Sequence, residues 1–180
     1  MINLSNIVQN TPISRKFLGW GDEAISNTLI LMARIIKESA RNYYVRRWAE
    51  EMVSGAERDE YSKVQAIYDF LTDHVQYLRD MEGIEMLKKP EISLKEIEEG
   101  YIPQLDCDCM SLLAGSLIRS IGLPVALRAI APHEKNKYSH VYDMIKIKDH
   151  GWIAFDLTKP DYGLGWEYPK ANKIMTLKVK

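Results

Sequence analysis

Apolar residues return at helical spacing along the first two thirds of the chain. In the last third they alternate or run together. From Glu23 to about Val53, Leu29, Met32, Ile36, Tyr43 and Trp48 recur every three, four or about seven residues. Arg34, Lys37, Glu38, Arg41 and Arg47 lie between them, and Ser54-Gly55 follows as a stop. A second helix is predicted over about Asp59–Tyr77, with Val64, Ile67, Tyr68, Leu71 and Val75 in one stripe. Gly83 and Pro90 mark a loop. Ser93-Leu94-Lys95-Glu96 then has the N-cap and Glu-at-N3 pattern of a short helix that Gly100 would end. The most apolar helix is predicted over Cys107–Ile121, with Asp106 or Asp108 as its cap and Gly122 and Pro124 as its stop.

Strand patterns follow at Val125–Ile130, His140–Ile147 and Gly151–Leu157, the last two joined by the turn-like Asp149-His150-Gly151. Short strands with no helix between them imply an antiparallel sheet. Helices first and strands last make the fold class α+β. Residues 1 to about 22, broken by Pro12, Gly19 and Gly21, read as an irregular lead-in. The final stretch, with Gly163, Gly165 and Pro169, reads as a loop-rich cover over one sheet edge.

Composition narrows the class. The chain has 180 residues, 46% hydrophobic and 27% charged, enough for one domain with a real core. The expected division is a helical extension over 1–55 packed on a core over 56–180. Lys and Arg number 24 against 25 Asp and Glu, so there is no general electrostatic reason to bind nucleic acid. The longest apolar stretch, around Leu29–Ile36, is interrupted by Arg34 and falls short of the roughly 20 residues of a membrane span. With no basic segment leading into an apolar one at the start, a cytoplasmic location is expected.

The two cysteines, Cys107 and Cys109, are separated by one residue, too close for a useful disulfide. Cys107 falls where a loop turns into an apolar helix. The positive end of a helix dipole favours an anion, so the thiol there is expected below its ordinary pKa. His140 opens one strand and Asp156 ends the next, so a hairpin would bring them together. Asp156 would then accept the Nδ1 proton and leave Nε2 for the sulfur. Each residue alone has an ordinary reading: a small buried hydrophobe, a surface histidine, a turn aspartate. Taken together they open a nucleophile–base–orienter reading beside those. Cys-x-Cys with two carboxylates lacks the second pair of a zinc site, and no Gly-rich phosphate loop occurs, so neither metal nor cofactor is expected.

The stretch QLDCDCMSLLAGSLIRSIGLPVALRAI resembles the nucleophile segment of the transglutaminase-like superfamily, within the papain-like cysteine protease fold. HVYDMIKIKDHGWIAFDLT resembles that family's His and Asp motifs, and VQYLRDMEGIEMLKKPEISL is similar to phage and prophage members. The resemblance covers about residues 60–160. It implies a nucleophile helix on a small antiparallel sheet and a thiol-dependent acyl-transfer enzyme, hydrolase or acyltransferase, acting on amide or peptide bonds. Position by position it implies Cys107 as nucleophile, His140 as base, Asp156 as orienter and Tyr77 as a candidate oxyanion donor. A protein or peptide substrate is implied. A non-catalytic phage assembly protein reusing the fold is the alternative. Leu105 stands where the family usually has Gly, and a side chain there would narrow the approach to the sulfur. Cys109 stands where many relatives have a second Asp; it reads either as inert, the favoured reading because neighbouring helix positions point apart, or as protecting Cys107 by exchange under oxidation.

Overall fold

A computed structural model describes residues 21–79, 86–132 and 136–180. The chain runs α1 (Gly21–Ser39), α2 (Tyr43–Val53), α3 (Glu60–His74), β1 (Gln76–Tyr77), α4 (Pro90–Glu98), β2 (Gln104–Leu105), α5 (Cys107–Ser120), β3 (Val125–Pro132), β4 (His140–Ile147), β5 (Gly151–Phe155), a 3-10 turn (Pro160–Tyr162) and β6 (Ala171–Lys178). Residues 1–20 of the expected lead-in, and Gly83, fall outside the described residues, while Gly21 and Asp22 already belong to α1.

The predicted helix over Glu23–Val53 is two helices. Asn42 turns extended, and its side chain accepts from the Tyr44 N–H, which caps α2. A short polar side chain that can bond the backbone two residues on competes with helix continuation. Helix α4 begins at Pro90 rather than near Ser93. Proline has no N–H to lose at the first helical position, so the start moves upstream, and Ser93 is buried inside the helix.

Helix α5 matches its prediction to within a residue. Asp106 caps it by accepting from the Cys109 N–H at 2.9 Å. Gly122, at φ 90, ends it in a backbone conformation that suits glycine. Leu112, Leu113, Leu117 and Ile118 are fully buried, each stabilising the fold by roughly 1.5–3 kcal/mol. Around α5 pack α1, α2, α3 and α4 on one side and the sheet on the other.

The sheet order is β5-β4-β3-β6, all antiparallel. Its inner face carries Val125, Leu127, Ala129, Val141, Ile145, Ile147 and Phe155, which join the main core. The outer face carries Ala126, Ile130, Tyr142, Met144 and Ala154, with Trp152 and Tyr168 beside them. Trp152 lies on the outer face rather than between sheet and helix, under the Lys178 ammonium. Strand β6 replaces part of the expected loop cover. It is mostly exposed along its length, and Lys173 and Lys178 on this edge strand discourage pairing with other chains. A separate two-stranded parallel ribbon, β1 with β2, lies just before α5, with Tyr77 opposite Leu105.

Candidate active site

Three element ends meet at one edge of the sheet: the N-terminus of α5, the start of β4 and the end of β5. Helix α5 lies on β4 with a fixed register. The Ser111 hydroxyl, one turn after Cys107, donates to the Cys107 carbonyl at 2.8 Å and lies 3.4 Å from the Val141 carbonyl. One turn further, a Cβ on Gly115 would stand 3.0 Å from Asp143 Oδ1 and 2.9 Å from Ile36 Cδ1. Glycine at 115 thus allows the helix its close approach to the strand. This seating brings the Cys107 sulfur to the backbone N–H of Val141, the residue after His140.

The hairpin forms as expected. Its pairing runs from Ile147↔Gly151 to Asp143↔Phe155, so Asp156 comes just past the last pair. His140 Nε2 and Asp156 Oδ2 are 2.7 Å apart, with side chains only 9% and 4% exposed. The nitrogen engaged is Nε2, the reverse of the expectation from sequence, which leaves Nδ1 unengaged by Asp156. The direction in which a strand-opening histidine leaves the backbone decides this, and spacing alone does not reveal it. Asp156 Oδ1 accepts from the Thr158 N–H at 2.9 Å and the Thr158 hydroxyl at 2.8 Å. The Tyr68 hydroxyl reaches the Asp156 carbonyl at 3.4 Å. Thr158 is a site residue that the sequence reading passed over, although Asp followed two residues later by Thr is the pattern of a side chain closing a turn on its own backbone.

Cys107, Ser111, Val141, Tyr142, Asp156 and Thr158 line one small cavity. Burial is the largest influence on the Cys107 thiol and pushes its pKa up. The Asp108 carboxylate adds to this; its Oδ1 accepts from the thiol at 3.6 Å. The Val141 N–H works the other way. The lowered thiol pKa expected from the helix start is therefore corrected: burial and the neighbouring Asp108 charge push the thiol up. Tyr77 is 46% exposed. Its hydroxyl pKa is raised, first by burial and then by Cys107, which sets the phenol within the electrostatic reach of the sulfur.

Leu105 does not narrow the approach to the sulfur. It is 2% exposed and points into the main core. Cys109 faces away from Cys107. Its sulfur accepts from the Lys88 N–H at 3.2 Å and donates to the Met86 carbonyl at 3.0 Å, which ties the segment before α4 to the helix. Elsewhere His74 stacks on Phe70 and His150 on Tyr61, both away from the site.

Solved structures resemble this fold to differing degrees. A candidate protease from Parabacteroides distasonis superposes with a TM-score of 0.57 at 14% identity, over 80% of this chain and 31% of that one. A candidate cysteine protease from Cytophaga hutchinsonii gives 0.48 at 18% identity, over 79% and 55%. A protein named a TGase gives 0.41 at 17% identity, over 94% and 39%. The chain thus spans between about a third and just over half the length of these structures. No curated protein matches the sequence. The profile of the transglutaminase-like superfamily matches residues 46–157, a stretch that holds α5, β4, β5 and the residues meeting at their ends. The chain belongs to the transglutaminase-like superfamily.

Proposed function

We propose that the protein is a thiol acyl-transfer enzyme acting on amide or peptide bonds, with Cys107 as nucleophile, His140 as base and Asp156 as orienter. The observation that carries this reading is the 2.7 Å His140 Nε2–Asp156 Oδ2 contact, made beside a cysteine at a helix start. In this scheme Asp156 holds the imidazole by Nε2, and the thiol proton passes to Nδ1 as the sulfur attacks the carbonyl carbon. Burial and Asp108 keep the resting thiol protonated, so proton transfer accompanies attack and does not precede it. The carbonyl π bond opens to an oxyanion. Val141 N–H and the Tyr77 hydroxyl are the nearby donors on offer to that charge. Collapse of the intermediate breaks the C–N bond. The amine leaves with the proton from Nδ1, and a thioester remains on Cys107. Water then yields an acid, and an acceptor amine yields a new amide.

The test is acylation by p-nitrophenyl acetate, followed by nitrophenolate release and by mass analysis of the protein. The acetyl group should appear on Cys107 and be absent in C107A. In H140N the rate should fall by roughly 100-fold or more, the usual contribution of a positioned general base. Acylation of Cys109 instead, or an unchanged rate in H140N, would refute the assignment.

A further inference from the structure

The outer-face aromatics continue to His140. Tyr142 stacks on its ring at 5.7 Å and 29°, Tyr168 tilts against it at 5.2 Å, and the two phenols lie 6.3 Å from each other. Three rings therefore form a triangle with the imidazole at one corner. These separations lie within the range of favourable aromatic pairs. Tyr168 has no place in a regular element, so something must hold it. Glu167, its neighbour, pairs with the Arg128 guanidinium on β3 and also accepts from the Tyr142 hydroxyl at 3.3 Å. One carboxylate thus ties β3, β4 and the loop bearing Tyr168 together. The loop is fixed again where the Gly165 N–H donates to the Ala154 carbonyl at 2.9 Å. Trp166 packs against Tyr168 as well, at 4.8 Å. Burial, then the Asp156 charge, raise the Tyr168 hydroxyl to about 12, so the ring stays a neutral phenol.

We propose that Tyr168, seated by the Arg128–Glu167 ion pair and backed by Tyr142, is a positioning residue that fixes the His140 ring. A single hydrogen bond through Nε2 sets one point of an imidazole and leaves it free to tip about that bond. Two aromatic rings resting on it remove that freedom and aim Nδ1 in one direction. The role rests on the reading of His140 as the base, and it acts through the His140 ring.

The experiment follows Cys107 acylation by p-nitrophenyl acetate in Y168L and Y168F, with the His140 Hε1 proton resonance as a second readout, assigned by its loss in H140N. The expected result is a rate about tenfold or more lower in Y168L, since small misplacements of reacting groups cost this much or more. Y168F should restore most of that loss. The His140 resonance should move in Y168L, where the ring current of Tyr168 is gone, and stay near its place in Y168F. E167Q should shift it in the same direction as Y168L. An unmoved resonance in Y168L overturns the proposal, and so does a Y168F rate as low as that of Y168L. If H140N acylates at the full rate, the base assignment fails by itself, and the resonance alone then decides whether Tyr168 seats the ring.

Discussion

Asp143 offers a demanding test of the physical reasoning. It lies mid-strand in β4 facing α5, fully buried, and among the described residues neither carboxylate oxygen has a side-chain partner; the Gly115 N–H of α5 is the one polar group that works toward its charged form. Burial, then the nearby Asp156 charge, raise its pKa well above the ordinary carboxylate value, which favours the neutral acid in the folded protein. In the unfolded chain it ionises near the ordinary value of about 3.9. The sign follows. A raised folded pKa contributes stability that is whole below the unfolded pKa and is lost as pH rises toward the folded one. Within that window the loss approaches about 1.4 kcal/mol per pH unit. For a chain of this size, that is about 3–6 °C of melting temperature per unit. Asp143→Asn keeps the shape and removes the titration. Thermal unfolding of both proteins should be measured from pH 4 upward. The melting temperature of the wild type minus that of D143N should fall with pH and level off once Asp143 ionises in the folded state. Parallel curves would show that Asp143 keeps its ordinary titration when folded, and the account of its burial would be wrong.

Three further outcomes follow. Asp108→Asn removes a carboxylate that raises the Cys107 thiol, so alkylation of Cys107 by iodoacetamide at neutral pH should speed up severalfold, and an unchanged rate would remove Asp108 from the account. Cys109→Val breaks the contacts to Met86 and Lys88, with an expected cost of about 1–3 kcal/mol in urea unfolding while the p-nitrophenyl acetate rate persists; loss of acylation with intact folding would give Cys109 a chemical part. Asn42→Ala removes the α2 cap and should cost about 1 kcal/mol in the same measurement, whereas no change would mean the backbone turn stands without it.

The readable parts of the sequence were those with strong local causes. Helix α5 combines an unbroken apolar face, an aspartate cap and a Gly-Leu-Pro stop, so its limits were legible. Strand β4 alternates faces so regularly that its bounds were predicted to the residue, His140–Ile147. The unreadable parts depend on contacts made at a distance. Strand β6 has exposed residues along most of its length and exists because β3 supplies its hydrogen bonds. The break at Asn42 arises from one side chain turning to its own backbone. At the site, residue types and order pointed to Cys107, His140 and Asp156, and the structure brings these three to one edge. The imidazole nitrogen that Asp156 engages and the protonation of the sulfur were not legible, because ring orientation and burial are decided by neighbours from other elements. Tyr168 lies 28 residues after His140 in a segment with no periodicity, and only the folded loop reveals what it touches.

The two hydrogen bonds from Thr158 to Asp156 have a kinetic meaning. With Oδ1 occupied by an amide and a hydroxyl of the same turn, the carboxylate cannot rotate about its own axis without breaking two contacts. Its other oxygen is therefore aimed before any ligand arrives. The ordering entropy of this corner is spent during folding, so encounter with a substrate need not wait for the carboxylate to find its orientation.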